Sequence, residues 1–79
     1  MATTEIAVGT EIHLRRLAAG LPLHQVANRL GLASSYLEGI ESNVREAPAK
    51  LIVEIREAIL ELSGGYWDPF KDEYLTVED

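Results

Sequence analysis

His13 and His24 are the side chains best suited to moving a proton near neutral pH or to holding a metal ion, so their company in the sequence decides what chemistry is open to the chain. They fall on different helical segments, no cysteine accompanies them, and no carboxylate pair is spaced to serve them. Both read as exposed or partly packed histidines, and no metal or cofactor is expected. Glu54 and Glu57 flank Arg56 at helical spacing and read as a solvated face. A Gly-rich phosphate loop, a nucleophile elbow and a deaminase pattern are all missing, so the chain is not expected to be an enzyme. What is left is a polar run, "ASSYLEGIESN", residues 33–43, rich in serine and glutamate and without a single lysine or arginine.

The elements that position this run must come from a small chain. Seventy-nine residues make one domain, and a chain of this size hides only about 60–65% of the surface its unfolded form exposes. Without cysteine, neither disulfides nor thiolate metal sites can hold it, which fits a reducing cytoplasm. The N-terminal "MATTEIAVGTEI" lacks a basic start and an apolar run, and no stretch reaches the roughly 20 apolar residues of a membrane span. A cytoplasmic protein is the expectation. Net charge is −6, unevenly spread: residues 1–62 carry eight acids against six bases, leaving −2, while residues 63–79 carry five acids against Lys71, leaving −4. A nearly neutral body, 1–62, thus precedes an acidic segment, 63–79.

Periodicity in the body reads as helix throughout. Leu14, Leu17, Ala18 and Leu21 recur at the spacing of one buried face, ended by Gly20. Pro22 opens a second helix that places Leu23, Val26, Ala27 and Leu30 on one side and stops at Gly31. Ser34 or Ser35 is expected to cap a third helix, whose Leu37 and Ile40 point inward. Pro48 opens a fourth, with Leu51, Ile52, Ile55, Ala58, Ile59 and Leu62 as a continuous apolar stripe terminated by "SGG". The expected fold is an all-α, compact four-helix domain with a C-terminal acidic and aromatic extension. That extension holds Tyr66, Trp67, Phe70 and Tyr74, four of the five aromatics, which either fold back over the core or dock on a second subunit or another protein.

The second and third helices carry the most specific spacing. Counted from Ala27, apolar residues stand at −1 (Val26), +3 (Leu30), +5 (Leu32), +10 (Leu37) and +13 (Ile40), with Gly31 at +4. A small residue where helices cross, a glycine in the turn and five inward side chains describe helix, tight turn, helix. With "YLEGIE" in the second helix of the pair, the segment from Gly20 to about Leu60 resembles the repressor-like (phage repressor and Cro, XRE-type) helix-turn-helix family, which includes antitoxins. Several positions depart from that family's habits: Pro22 and Leu23 replace a common Ser-Gln, Gly39 replaces a polar residue, and the loop "SNVREAP" holds Arg45 alone.

The resemblance implies a small transcriptional regulator that binds double-stranded DNA as a homodimer, with the helix after the turn in the major groove. It places Ser34, Ser35, Glu38, Ser42 and Asn43 toward base edges and Gln25, Arg29 and Arg45 toward phosphates. Glu41 is implied to support the motif by pairing with an arginine. Val53 and Leu60, off the main stripe of the fourth helix, join Trp67 and Phe70 as the expected dimer or partner surface. The scarcity of lysine and arginine leaves an alternative: a helix-turn-helix that binds a basic protein partner, as an antirepressor or an antitoxin-like acidic partner does.

Overall fold

The computed structural model describes residues 6–77. Four helices, α1 (Val8–Ala18), α2 (Leu23–Leu30), α3 (Ser34–Glu41) and α4 (Ala49–Ser63), are followed by an antiparallel hairpin of β1 (Gly65–Asp68) and β2 (Glu73–Thr76). The all-α expectation is corrected to a mixed α/β fold, because the acidic aromatic segment forms a two-stranded sheet. Its strands, "GYWD" and "EYLT", have four residues each, too few for an alternating pattern to stand out from the sequence. The connection between them is tight: Asp72 adopts a left-handed conformation (φ 55°) and donates its N–H to the Asp68 carbonyl at 2.8 Å.

The helices begin and end by different means. Ala7, Pro22, Ala33 and Pro48 occupy the four N-cap positions, and none of the four caps makes a side-chain hydrogen bond. Neither Ser34 nor Ser35 is the cap that the sequence suggested; the extended backbone of Ala33 (φ −67°, ψ 141°) starts α3 one residue earlier. Glycines terminate α1, α2 and α4, whereas α3 ends at Ser42. Gly31 sits at φ 71°, its N–H bonded to the Asn28 carbonyl and that of Leu32 to the Ala27 carbonyl, the paired bonds of a Schellman motif. Gly20 ends α1 in the same way, through Leu17 and Arg16.

In the core, Ile12, Val26, Leu37, Ile55 and Ile59 are fully buried, with Leu21, Ala27, Ile40, Ala58 and Tyr66 completing the cluster. Burial of each large aliphatic side chain stabilises the fold by about 1.5–3 kcal/mol. The stripe expected on α4 is observed, but the one expected on α1 is not. Leu14 and Leu17 are 39% and 54% exposed, Ala18 is exposed, and α1 instead buries Gly9, Ile12 and Arg16. Two contacts rotate the helix. A side chain at Gly9 would place its Cβ 2.0 Å from the Ile40 carbonyl, so only glycine lets α1 approach the end of α3 this closely. Arg16, 8% exposed, donates Nε to Glu41 Oε2 and Nη2 to Glu41 Oε1, both at 2.9 Å, and Nη1 to the Leu21 carbonyl at 2.8 Å. A buried guanidinium with that many partners outweighs the leucines' preference for the interior.

The hairpin packs on α1 and α4 through β1. Its register pairs Tyr66 with Leu75 and Trp67 with Tyr74, so Tyr66 and Asp68 turn inward while Trp67 and Tyr74 stay 53% and 60% exposed. The fully buried Asp68 accepts from Arg15 Nη1 at 2.6 Å and from the Phe70 N–H at 2.8 Å. Arg15 also donates to Glu11 at 2.6 Å and to the Tyr66 hydroxyl at 3.3 Å and lies over the Phe70 ring at 5.2 Å, while Arg56 holds the other side of Glu11. Burial alone would push the Asp68 carboxyl up; the Phe70 N–H and Arg15 together hold it below its ordinary value. Glu11 is treated likewise: burial raises it, and the stronger combined pull of Arg56 and Arg15 lowers it.

Candidate nucleic-acid interface

The turn from α2 to α3 consists of Gly31, Leu32 and Ala33. Leu32 packs against the core and so fixes the angle at which α3 leaves. With Leu37, Ile40 and Glu41 buried, the helical repeat puts Ser35, Gly39 and Ser42 on the opposite, outward side of α3, with Glu38 along one flank and Tyr36 along the other. Ser34, Ser35, Glu38 and Ser42, four of the five expected base-contacting residues, are exposed on this helix and its end. The Ser42 hydroxyl donates to the Gly39 carbonyl at 3.2 Å.

Asn43 is the fifth, and its side chain is committed elsewhere. It takes a left-handed backbone (φ 66°) at the end of α3, and its Oδ1 accepts from the Gly9 N–H at 3.0 Å while Nδ2 donates to the Thr10 hydroxyl at 3.0 Å. It fastens α3 to the start of α1. The close approach permitted by Gly9 and the reach of the Asn43 amide are one joint.

The expected phosphate contacts separate as well. Gln25 is exposed on α2. Arg29 pairs with Glu61 across the α2–α4 groove, in a cleft that Glu54 and Glu57 also line, so its charge is already answered by carboxylates. Arg45 lies differently. The N–H groups of Val44 and Arg45 both donate to the Gly39 carbonyl, at 2.9 and 3.0 Å, folding the loop back onto α3. The Arg45 guanidinium then rests 5.4 Å from the centre of the Tyr36 ring. Gly39 leaves the space for this, since a Cβ there would come within 2.9 Å of Arg45 Cδ. The sequence pointed to neither Tyr36 nor Gly39 as a support for Arg45; an aromatic three residues before a glycine and an arginine six after it carry no local signal.

Among the described residues, ion pairs occupy Arg15, Arg16, Arg29 and Arg56, whereas Arg45, Lys50 and Lys71 make none. His13 bonds Glu41 at 2.8 Å and thus belongs to the α1–α3 joint. Of the expected partner surface, Val53 and Trp67 are about half exposed, but Leu60 packs on the core and Phe70 is half-buried beneath Arg15. Leu60 and Phe70 make contacts within the chain: the hairpin covers this part of α4, with Leu60, Tyr66, Phe70 and Leu75 lining one cleft. Among the described residues, no helix is long and apolar enough to cross a membrane. Compared with models of protein families, with curated proteins and with solved structures, the chain matches none of them.

Proposed function

We propose that the protein is a small cytoplasmic DNA-binding transcriptional regulator of the repressor-like helix-turn-helix kind, working as a homodimer. One observation carries the reading: α2, the Gly31 turn and α3 form a packed pair in which α3 buries Leu37 and Ile40 and offers Ser35, Ser42 and Glu38 on its free side. Serine hydroxyls pair with several base edges and a glutamate accepts from cytosine, so this face has a major-groove vocabulary. Two such helices, one per protomer, would read two half-sites. The exposed Val53, Trp67 and Tyr74 are apolar surface available to the pairing.

Binding of the full chain to random and to selected duplex DNA, followed by fluorescence anisotropy across a salt series, tests the proposal. The expected result is saturable, sequence-dependent binding with a shallow salt slope, because few cations are free to release counterions. Absence of binding at low salt would overturn it.

A second reading has its own support. With Arg15, Arg16 and Arg56 tied into the joints of the fold and Arg29 facing Glu61, the surface is poor in free positive charge. That favours a helix-turn-helix used to hold a basic protein, with the exposed Trp67 and Tyr74 as its anchors.

A further inference from the structure

The recognition face of α3 has no cation of its own, and the fold supplies one. We infer that Arg45, laid across Gly39 and stacked on Tyr36, reads a guanine in the major groove as part of the α3 face; this rests on the DNA-binding reading and assigns Arg45 to a base where the sequence suggested a phosphate.

Three features of the geometry point there. The first is position. Gly39 lies on the outward side of α3 between Ser35 and Ser42, and Arg45 Cδ, Cγ and Nε all pass within 3.3 Å of where a Gly39 Cβ would stand. The side chain therefore crosses the outward side of α3 at Gly39, next to Ser35 and Ser42, and ends on the Tyr36 flank. It does not trail into solvent from the loop. Second comes restraint. The two hydrogen bonds from the Val44 and Arg45 N–H groups to the Gly39 carbonyl fix the backbone from which the side chain leaves, and the Tyr36 ring at 5.4 Å packs against the guanidinium. A restrained arginine loses less rotamer freedom on binding, which matters most for a contact that depends on orientation. The third is chemistry. A planar fork of N–H donors matches the O6 and N7 acceptors of guanine, the commonest specific contact in the major groove; the same fork also fits a phosphate, so it is the place of Arg45 across Gly39 that selects the base. The neighbouring Ser35 and Ser42 hydroxyls accept or donate and extend the readout to adjacent pairs.

Gly39 acquires a reason by the same geometry. Alanine is a better helix former at an interior position, by roughly 0.5–1 kcal/mol. Its methyl group would displace the Arg45 stem, a flexible neighbour that moves without disturbing the backbone.

The test uses the full-length protein, with sites first selected from random duplex DNA and each guanine in the selected site then replaced in turn. Arg45→Lys keeps the charge but not the fork, Arg45→Ala removes both, and Gly39→Ala keeps the arginine but evicts it from its groove. The expected result is that the wild type prefers guanine at one position per half-site by about tenfold to a hundredfold. All three variants should lose that preference, while Arg45→Lys retains the wild-type salt slope and Gly39→Ala melts no lower than wild type. Retention of guanine discrimination in Arg45→Lys or Gly39→Ala would overturn the inference. So would an Arg45→Ala protein that binds every sequence more weakly by one factor, with the salt slope reduced by about 1, the signature of a phosphate contact. A wild type that binds no DNA at low salt would remove the DNA-binding reading itself, an outcome distinct from DNA binding without the guanine preference.

Discussion

Arg15 and Arg16 are consecutive in sequence and fasten two different regions of the molecule. Arg16 joins α1 to α3 through a two-point pair with Glu41, inside the helical body. Arg15 joins that body to the hairpin through Asp68, fifty-three residues away. Both pairs are buried, yet their surroundings differ. Everything Arg16 touches belongs to elements that also share the aliphatic core, whereas Arg15 holds a two-stranded sheet too small to be stable by itself. The same chemistry is thus part of global stability in one region and of local docking in the other.

The largest effect should come from breaking the body's joint. Arg16→Ala leaves the buried Glu41 without its two-point partner, with only His13 still bonded to it, and should cost about 3–5 kcal/mol in urea unfolding followed by helical circular dichroism, with all helices lost together. Replacing both Arg16 and Glu41 by leucine should recover most of the loss, because no unpaired charge is then left inside. A loss in Arg16→Ala confined to one helix would erase the distinction drawn between the two arginines.

A smaller and more local effect is expected at the other joint. Asp68→Ala removes the acceptor of Arg15 and of the Phe70 N–H, at about 1–3 kcal/mol. Hydrogen exchange should show residues 65–76 losing protection while α2, α3 and α4 keep theirs. Equal loss of protection across the chain would mean that the hairpin and body are one cooperative unit.

Acid should sharpen the comparison with the smallest perturbation. The carboxyls of Asp68 and Glu11 are held below their ordinary values, so near pH 4 the unfolded chain binds more protons than the folded one. Their contribution to stability is complete above about pH 5 and is lost as pH falls through the ordinary and then the lowered values. Thermal melts should therefore be level between about pH 7 and 5 and decline below about 4, with a shallower decline in Asp68→Ala. An identical acid decline in wild type and Asp68→Ala would show that this carboxylate is not involved.

The contrast between regions is also a contrast in legibility. The α2–α3 pair could be read because its instructions are local: Ala27, Gly31 and Leu32 lie within one turn and its flanks, and each acts through its own backbone or its immediate neighbours. The α4 stripe was legible for the same reason. On α1, periodicity favoured Leu14 and Leu17, and the buried face went instead to Gly9, Ile12 and Arg16, since the deciding partners, Ile40 and Glu41, lie about thirty residues on. In the candidate interface the exposure of Ser34, Ser35, Glu38 and Ser42 followed from helical geometry. The commitments of Asn43 to Gly9, Arg29 to Glu61 and Arg45 to Tyr36 did not.

By itself, then, the sequence determined four helices, the glycine stops of three of them, the aliphatic core of α2 to α4 and the uneven charge, all properties of short windows in which backbone preference and period act directly. Only the tertiary structure decided that residues 65–76 pair as strands, that α1 turns an arginine inward, that the hairpin lies over Leu60 of α4, and that a loop arginine lies against α3. Each of these depends on a contact between segments distant in sequence, and the energy of such a contact exists only once both partners have been brought together and removed from water.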